Sequence, residues 1–180
     1  MDDNLISAES ARWFVKQMTC FGLNLKDLLS GTGLPNQWIH QVSDRLSFNQ
    51  YLQIVLRALD LTGDPALGLK VGRGLNLFEY GVWGYAIMSC ATAGEAMTVA
   101  LRYWELNGAL VNISMKIGKD AVVWDIEPAF QRDDDRLVRF AVEELLSTFH
   151  AAGSFLLGRK MNILFFQFYN VYSDRRITSR

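Results

Sequence analysis

Residues able to do chemistry are sparse in this chain. There are two histidines, His40 and His150. His150 follows Phe149 near the end of a long apolar-periodic segment, where a packed or capping histidine is the ordinary role and a catalytic or haem-ligating one the alternative. Asp133, Asp134 and Asp135 are consecutive, so at a helix start their side chains diverge and cannot surround one ion. Their reading is electrostatic, negative charge facing the positive end of a helix. Gly72-Arg73-Gly74 lacks the Gly-Lys-Ser/Thr ending of a phosphate loop and does not join a strand to a helix. Ser89 and Cys90 carry no local signature of an activated nucleophile, and Cys90 reads as a small core residue. The two cysteines, Cys20 and Cys90, fall short of a disulfide framework or a four-ligand zinc site. No catalytic residue, metal set or cofactor is expected, and the chain does not read as an enzyme.

The aromatic inventory is richer. Trp83, Tyr85, Trp104, Trp124 and Phe149 fall on segments expected to pack around one sheet. Apolar and aromatic walls with a few polar groups are what small-molecule pockets are built from, and core filling is the alternative for any one ring. The polar residues that could orient a ligand there are Tyr85, Asn107, Asn112, Arg139 and Glu143. Glu143 and Glu144 are adjacent and must point differently, so only one can face the sheet; an inward Glu143 or Arg139 would need a partner, which a ligand could supply. The candidate ligand-binding set is therefore Trp83, Tyr85, Trp104, Asn107, Asn112, Trp124, Arg139 and Glu143.

Composition limits what these residues can belong to. The 180 residues are 50% hydrophobic and 21% charged, with a formal net charge of −1. That length fits one domain with a proper core, and the balance excludes intrinsic disorder. There is no basic excess, so the chain is not expected to bind nucleic acid by itself. Its acidic start differs from a secretory signal, and the best apolar run, Val82–Met88, is far below the roughly 18 residues a membrane span needs. Two unpaired cysteines suit a reducing compartment, so a cytoplasmic location is expected.

The first third of the chain predicts helices. Ser7 can cap a segment with Ala11, Phe14, Val15 and Met18 on one face. A short Leu25–Leu29 helix stops at Ser30-Gly31-Thr32-Gly33-Leu34-Pro35. Ser47 and Gln50 make a capping box, with Leu46 and Tyr51 as its hydrophobic staple; that helix runs to about Thr62 and ends at Gly63-Asp64-Pro65. Val82–Met88, apolar and bounded by turn-formers, predicts a strand buried on both faces. A second capping box, Thr92 with Glu95, opens a helix bearing Met97, Ala100, Leu101 and Trp104, and Asn107-Gly108 would stop it. Val111–Ile117 alternates apolar and polar residues, Gly118-Lys119-Asp120 supplies a turn, and Val122–Glu127 alternates again, which predicts a β-hairpin. After Pro128 a long helix carries Leu137, Val138, Ala141, Leu145, Phe149 and Ala152, and Ile163–Tyr169 predicts a last buried strand. The expected fold is α+β: a helical N-terminal layer (1–75), then a β-α-β-β-α-β, ferredoxin-like unit (76–172), within one domain of 1–180.

Two stretches carry more than periodicity. Gly63-Asp64-Pro65-Ala66-Leu67-Gly68-Leu69-Lys70-Val71-Gly72 is followed by Gly81-Val82-Trp83-Gly84-Tyr85-Ala86-Ile87-Met88-Ser89-Cys90-Ala91-Thr92-Ala93-Gly94-Glu95-Ala96 and by Arg102-Tyr103-Trp104. Together with Leu28–Leu34, they resemble the N-terminal effector-binding (arabinose-binding-like) domain of AraC-family transcriptional regulators, over residues of about 10 to 150. The resemblance implies a ligand-sensing regulatory domain that binds a small cytoplasmic effector, forms a homodimer, and controls a C-terminal helix-turn-helix DNA-binding domain expected to be absent from this chain. Its motifs are structural and assign no ligand residue. The alternative is a dimerisation or interaction module with no small-molecule ligand; a small enzyme on the same sheet is a third reading.

Overall fold

The computed structural model describes residues 5–40, 45–104, 110–117 and 122–161. Strand β1 (Leu5–Ser7) leads directly into helix α1 (Ala8–Cys20), and strand β2 (Arg45–Ser47) leads into α3 (Phe48–Thr62). The two strands pair antiparallel, Ile6 opposite Leu46, so both helices leave from the same small sheet. Between them, α2 (Leu25–Leu28) ends at the expected Gly/Pro interruption, which is fixed by buried Thr32: its hydroxyl donates to Leu29 O at 2.7 Å and accepts from Leu34 N at 3.2 Å. A 3-10 turn follows at Asn36–His40.

The start of α3 is the capping box read from the sequence. Gln50 N donates to Ser47 Oγ at 3.1 Å, and Ser47 N donates to Gln50 Oε1 at 3.0 Å, so each side chain satisfies the other residue's orphan backbone donor. Leu46 and Tyr51 are both buried in the main core. The helix ends with Gly63 in the left-handed region (φ 56°). Asp64 then accepts from Ala66 N at 2.9 Å and from Lys70 Nζ at 2.5 Å. The Lys70 hydrogen bond, more than any other cause, holds the Asp64 carboxyl below its usual range.

Helix α4 (Leu67–Arg73) packs on the long helix α7 (Asp135–Leu156). Gly68 and Gly72 lie one helical turn apart on the contact face. A Cβ on Gly68 would stand 2.5 Å from Phe140 O and 3.0 Å from Glu144 N; one on Gly72 would stand 2.7 Å from both Ser147 Cβ and Thr148 N. Only glycine lets the two backbones approach so closely. Ser147 Oγ donates across the contact to Leu69 O at 2.9 Å. Asp134 caps α7 through Arg136 N (2.8 Å), and Arg136 bridges Asp134 and Asp60 (2.7 and 3.0 Å), joining the end of α3 to the start of α7. The negative helix start expected from the three aspartates is in place.

One expected strand is a helix. Val82–Met88 belongs to α5 (Gly81–Met88), which continues a 3-10 turn at Leu77–Tyr80. A short apolar run has no period that separates a buried strand from a helix. Here Gly84 and Ile87 turn inward at helical spacing while Val82 is 86% and Tyr85 56% exposed, and Gly84 rests against the carbonyl of Leu77. A strand buried on both faces would have left neither Val82 nor Tyr85 exposed. The next helix, α6 (Ala93–Arg102), is capped by Thr92, which accepts from Glu95 N at 3.2 Å. The reciprocal bond is displaced by one residue: Glu95 accepts from Ala91 N at 3.0 Å.

Strands β3 (Val111–Ile117) and β4 (Val122–Pro128) form the predicted hairpin, with Ile113 opposite Ile126 and Met115 opposite Trp124. Asn112, Ser114 and Lys116 face solvent as expected, and Lys116 pairs with Asp125 at 3.2 Å. The expected turn at Gly118-Lys119-Asp120, the helix stop at Asn107-Gly108 and the strand at Ile163–Tyr169 lie outside the described residues. Among those residues there are two separate two-stranded antiparallel sheets, so the fold is mixed α and β. The β-α-β-β-α-β order does not hold, because its first strand is α5.

Candidate functional site

The aromatic residues singled out in the sequence largely come together, and the elements explain how. Helix α5 presents Trp83; the turn after α6 presents Trp104; the inner face of β4 presents Trp124; α7 presents Phe149. Their rings form a row with centroid separations of 6.4 Å (Trp83–Trp104), 5.8 Å (Trp104–Phe149) and 5.1 Å (Phe149–Trp124). All four residues are half-buried, unlike the core-filling Phe14 and Phe140, which pack edge to face at 5.8 Å within the closed core. Trp83, Trp104 and Phe149 pack against that core while each of the four keeps part of its surface accessible, as the aromatic residues of a ligand wall do. Trp104 is fixed by its indole Nε1, which donates to Val111 O at 2.8 Å and ties the end of α6 to the hairpin. Trp83 Nε1 is buried with no hydrogen-bond partner.

The row continues inward through Tyr80, 5.5 Å from Trp83 and 5.7 Å from Trp13. The sequence reading missed Glu144 on α7, whose charge acts on the buried phenols of Tyr51 on α3 and of Tyr80. Thr148 Oγ1 donates to Glu144 Oε1 at 3.0 Å. Burial pushes the Glu144 carboxyl up to about 7, against the lesser opposing effect of Thr148. Burial also raises the phenols of Tyr51 and Tyr80, and the nearby Glu144 charge raises both further. The available signal was positional. Glu144 falls in the stripe Leu137, Phe140, Ala141, Leu145, Thr148, three residues beyond Ala141 and four beyond Phe140.

The polar candidates separate. Glu143 pairs with Arg139 one turn back (Arg139 Nε to Glu143 Oε1, 2.7 Å), while its Oε2 is buried and unpartnered. Asn112 lies on the solvent face of β3, opposite Glu127, away from the inner face that carries Trp124. Tyr85 is on the outer side of α5 and joins Phe78 and Phe155 in a second, exposed group, with Phe78 6.2 Å from each of the other two rings. Asn107 lies outside the described residues. Trp83, Trp104 and Trp124 are therefore the candidates the fold brings together, with Phe149 completing them. His150 stays outside this row of contacts, its carbonyl accepting from Ser154 Oγ at 2.7 Å, and Cys90 is half-buried, its Sγ 3.3 Å from Ala86 O. Among the described residues, no three His, Cys, Asp or Glu side chains converge as metal ligands would, and no helix is long and apolar enough to cross a membrane.

Comparison with known proteins identifies the family. Residues 22–170 match the family model of the arabinose-binding N-terminal domain of AraC transcription regulators. The chain is 27% identical over 141 residues to the ornithine utilization regulator of Pseudomonas aeruginosa, an alignment covering 78% of this chain and 41% of that protein. It is 30% identical over 95 residues to uncharacterized HTH-type transcriptional regulators of Mycobacterium bovis and Mycobacterium tuberculosis, covering 52% of this chain and 28% of each of those. The chain thus matches less than half the length of these relatives, all of which are named as regulators rather than enzymes. The chain belongs to the family of arabinose-binding N-terminal domains of AraC transcription regulators.

Proposed function

We propose that this chain is the ligand-sensing domain of an AraC-type transcription regulator, a single unit spanning 1–180 that binds a small cytoplasmic effector and biases a DNA-binding domain lying outside it. The observation that carries this reading is the half-open row Trp83–Trp104–Phe149–Trp124, assembled from two helices, a hairpin and a turn. An effector on that wall touches α5, the end of α6, the hairpin and α7 together, so it favours whichever relative placement of them gives it more contact. It can shift the regulator only by its difference in affinity between the two states. The near-neutral charge fits a domain that leaves phosphate contacts to another part of the regulator.

The test is a thermal-shift screen of the purified chain against amino acids, polyamines, fatty acids, sugars and cyclic dinucleotides. A ligand at 100 times its Kd adds roughly 2.7 kcal/mol of stability, a readily seen rise in Tm. A saturable shift from one chemical class supports the sensor; a flat panel counts against it.

A second reading, self-association, is favoured by a different feature. Phe78, Val82, Tyr85 and Phe155 expose apolar surface on the outer side of α5 and the end of α7. Sedimentation of the wild type and of Tyr85→Ser across a concentration series checks it. A homodimer held by this patch dissociates in the variant.

A further inference from the structure

A cleft separate from the aromatic row lies along α1. One face of that helix presents Glu9, Arg12, Trp13, Lys16, Gln17 and Cys20, and Glu79 of the 3-10 turn Leu77–Tyr80 stands opposite. Together they line an open cavity of about 480 Å³, within the size range of small-molecule sites. None of Trp83, Trp104, Trp124 and Phe149 borders it. At 1.5 Å of rise per residue, Glu9 and Cys20 are roughly 16 Å apart along the helix. So modest a volume over that length makes a narrow trough, which suits an extended chain better than a rounded molecule.

The trough changes sign along its length. At one end the Glu9 carboxylate rests where α5 begins: a Cβ on Gly81 would stand 2.8 Å from Glu9 Oε2. Two turns on is Lys16, whose Nζ is 3.9 Å from Glu79 Oε2, too far for a direct hydrogen bond. Both side chains of that pair are well exposed, so it is weak, and the ammonium keeps donors for another carboxylate. Arg12, between Glu9 and Lys16, lies 6.0 Å over the Trp38 ring and adds a second positive charge. From Glu9 to Lys16 the helix rises about 10 Å, the span of three extended residues. A molecule with an ammonium at one end and a carboxylate about that far away meets an opposite charge at both. A free amino acid, its charges only two bonds apart, does not reach.

Trp13 is the buried member of the lining, 3% exposed, and its indole N–H has no hydrogen-bond partner. What it lacks is an acceptor of the kind a peptide carbonyl provides, and the Gln17 amide one turn on can both donate to and accept from a peptide bond.

We propose that the trough between α1 and the turn Leu77–Tyr80 binds a short peptide with free termini, its ammonium at Glu9 and its carboxylate at Lys16. This goes beyond the ligand-sensing reading and does not rest on it. An occupant there bears on the start of α5, the helix that carries Trp83.

The test is calorimetric titration of the full chain with tri-L-alanine at low salt, where exposed charges are least screened. The controls are N-acetyl-tri-L-alanine, which lacks the ammonium, tri-L-alanine amide, which lacks the carboxylate, and L-alanine. The titration is repeated on Lys16→Met, Glu9→Gln and Trp124→Ala, with the Tm of each variant confirming folding. Saturable binding of tri-L-alanine is expected, weakened at least fivefold by either blocking group and by Lys16→Met or Glu9→Gln, and unchanged in Trp124→Ala. L-alanine should be at least tenfold weaker. No saturable binding of tri-L-alanine, binding indifferent to the blocking groups or to Lys16→Met, or L-alanine binding as tightly overturns the proposal. Binding lost only in Trp124→Ala moves the peptide to the aromatic row, so this proposal falls while the sensor reading survives. A flat thermal-shift screen with tri-L-alanine bound as expected does the reverse.

Discussion

Gly72 of α4 is seated on the backbone of Glu144 in α7, so close that a Cβ would meet the Glu144 carbonyl, Ser147 Cβ and Thr148 N at once. With Gly68 one turn earlier against Phe140 O and Glu144 N, the two glycines hold the Glu144 peptide between them. The run Leu-Gly-Leu-Lys-Val-Gly that carries the family resemblance is thereby explained as a helix-packing device. It also sets where the Glu144 carboxyl stands relative to Tyr51 and Tyr80.

Replacing Gly72 by Ala tests that device. In an exposed helix interior Gly→Ala gains up to about 1 kcal/mol. Here the sign reverses, because backbone and a packed helix cannot yield as a flexible side chain would. Gly72→Ala is expected to destabilise by about 1–3 kcal/mol, or more if α4 is displaced, read as a lowered midpoint in urea unfolding.

Glu144 makes stability depend on pH in a defined direction. Burial raises its folded pKa to about 7 from an unfolded value near 4.5. The folded state therefore holds a proton that the unfolded state has released, and stability falls as pH rises between those two values, then levels above the upper one. The groups facing it are Tyr51 from α3 and Tyr80, whose phenols stay neutral throughout this window because burial raises both. The loss is of order 1–3 kcal/mol, accruing at about 1.4 kcal/mol for each pH unit crossed within the window. Urea unfolding of the wild type and Glu144→Gln from pH 4 to 8 checks it: the variant lacks this slope and is the more stable protein at pH 8.

Ser47 joins β2 to α3 and supplies half of the capping box. Ser47→Ala removes the acceptor for Gln50 N and leaves Gln50 to hold the Ser47 amide alone. A loss of about 1 kcal/mol is expected in the same unfolding assay.

Helix α5 predicts contrasting effects for two residues that a fully buried strand would treat alike. Ile87, 4% exposed, packs with Leu77 and Ala96 in the smaller core cluster, so Ile87→Ala should cost about 2–4 kcal/mol. Tyr85 is out on the surface, and Tyr85→Ser should change the stability of the monomer by no more than about 0.5 kcal/mol. Equal losses at the two positions would contradict the helix.

How much of the molecule is legible in its sequence follows from which signals are local. Helix α3, from Ser47 to Gly63, carries its start, its face and its stop in its own residues, and the hairpin at 111–128 carries its period. Val82–Met88 carries none of these, since its burial pattern is imposed by the preceding 3-10 turn and the backbone contact of Gly84 with Leu77. Trp83, Trp104 and Trp124 are recognisable by residue type, but their meeting depends on Phe149 and on the Trp104–Val111 hydrogen bond, which join distant segments. Adjacent Glu143 and Glu144 must point differently, but nothing in their own segment says which turns inward; the Arg139–Glu143 pair and the Thr148–Glu144 hydrogen bond distinguish them only in the fold.

The central claim is that the half-open aromatic row receives a small molecule. Its most direct test is the thermal-shift screen run in parallel on the wild type and on Trp124→Ala, which truncates the outer end of the wall beside Phe149. The account predicts a saturable rise in Tm from one chemical class in the wild type, reduced or lost in the variant relative to its own baseline. A flat panel for the wild type, or a shift that Trp124→Ala leaves intact, would contradict it.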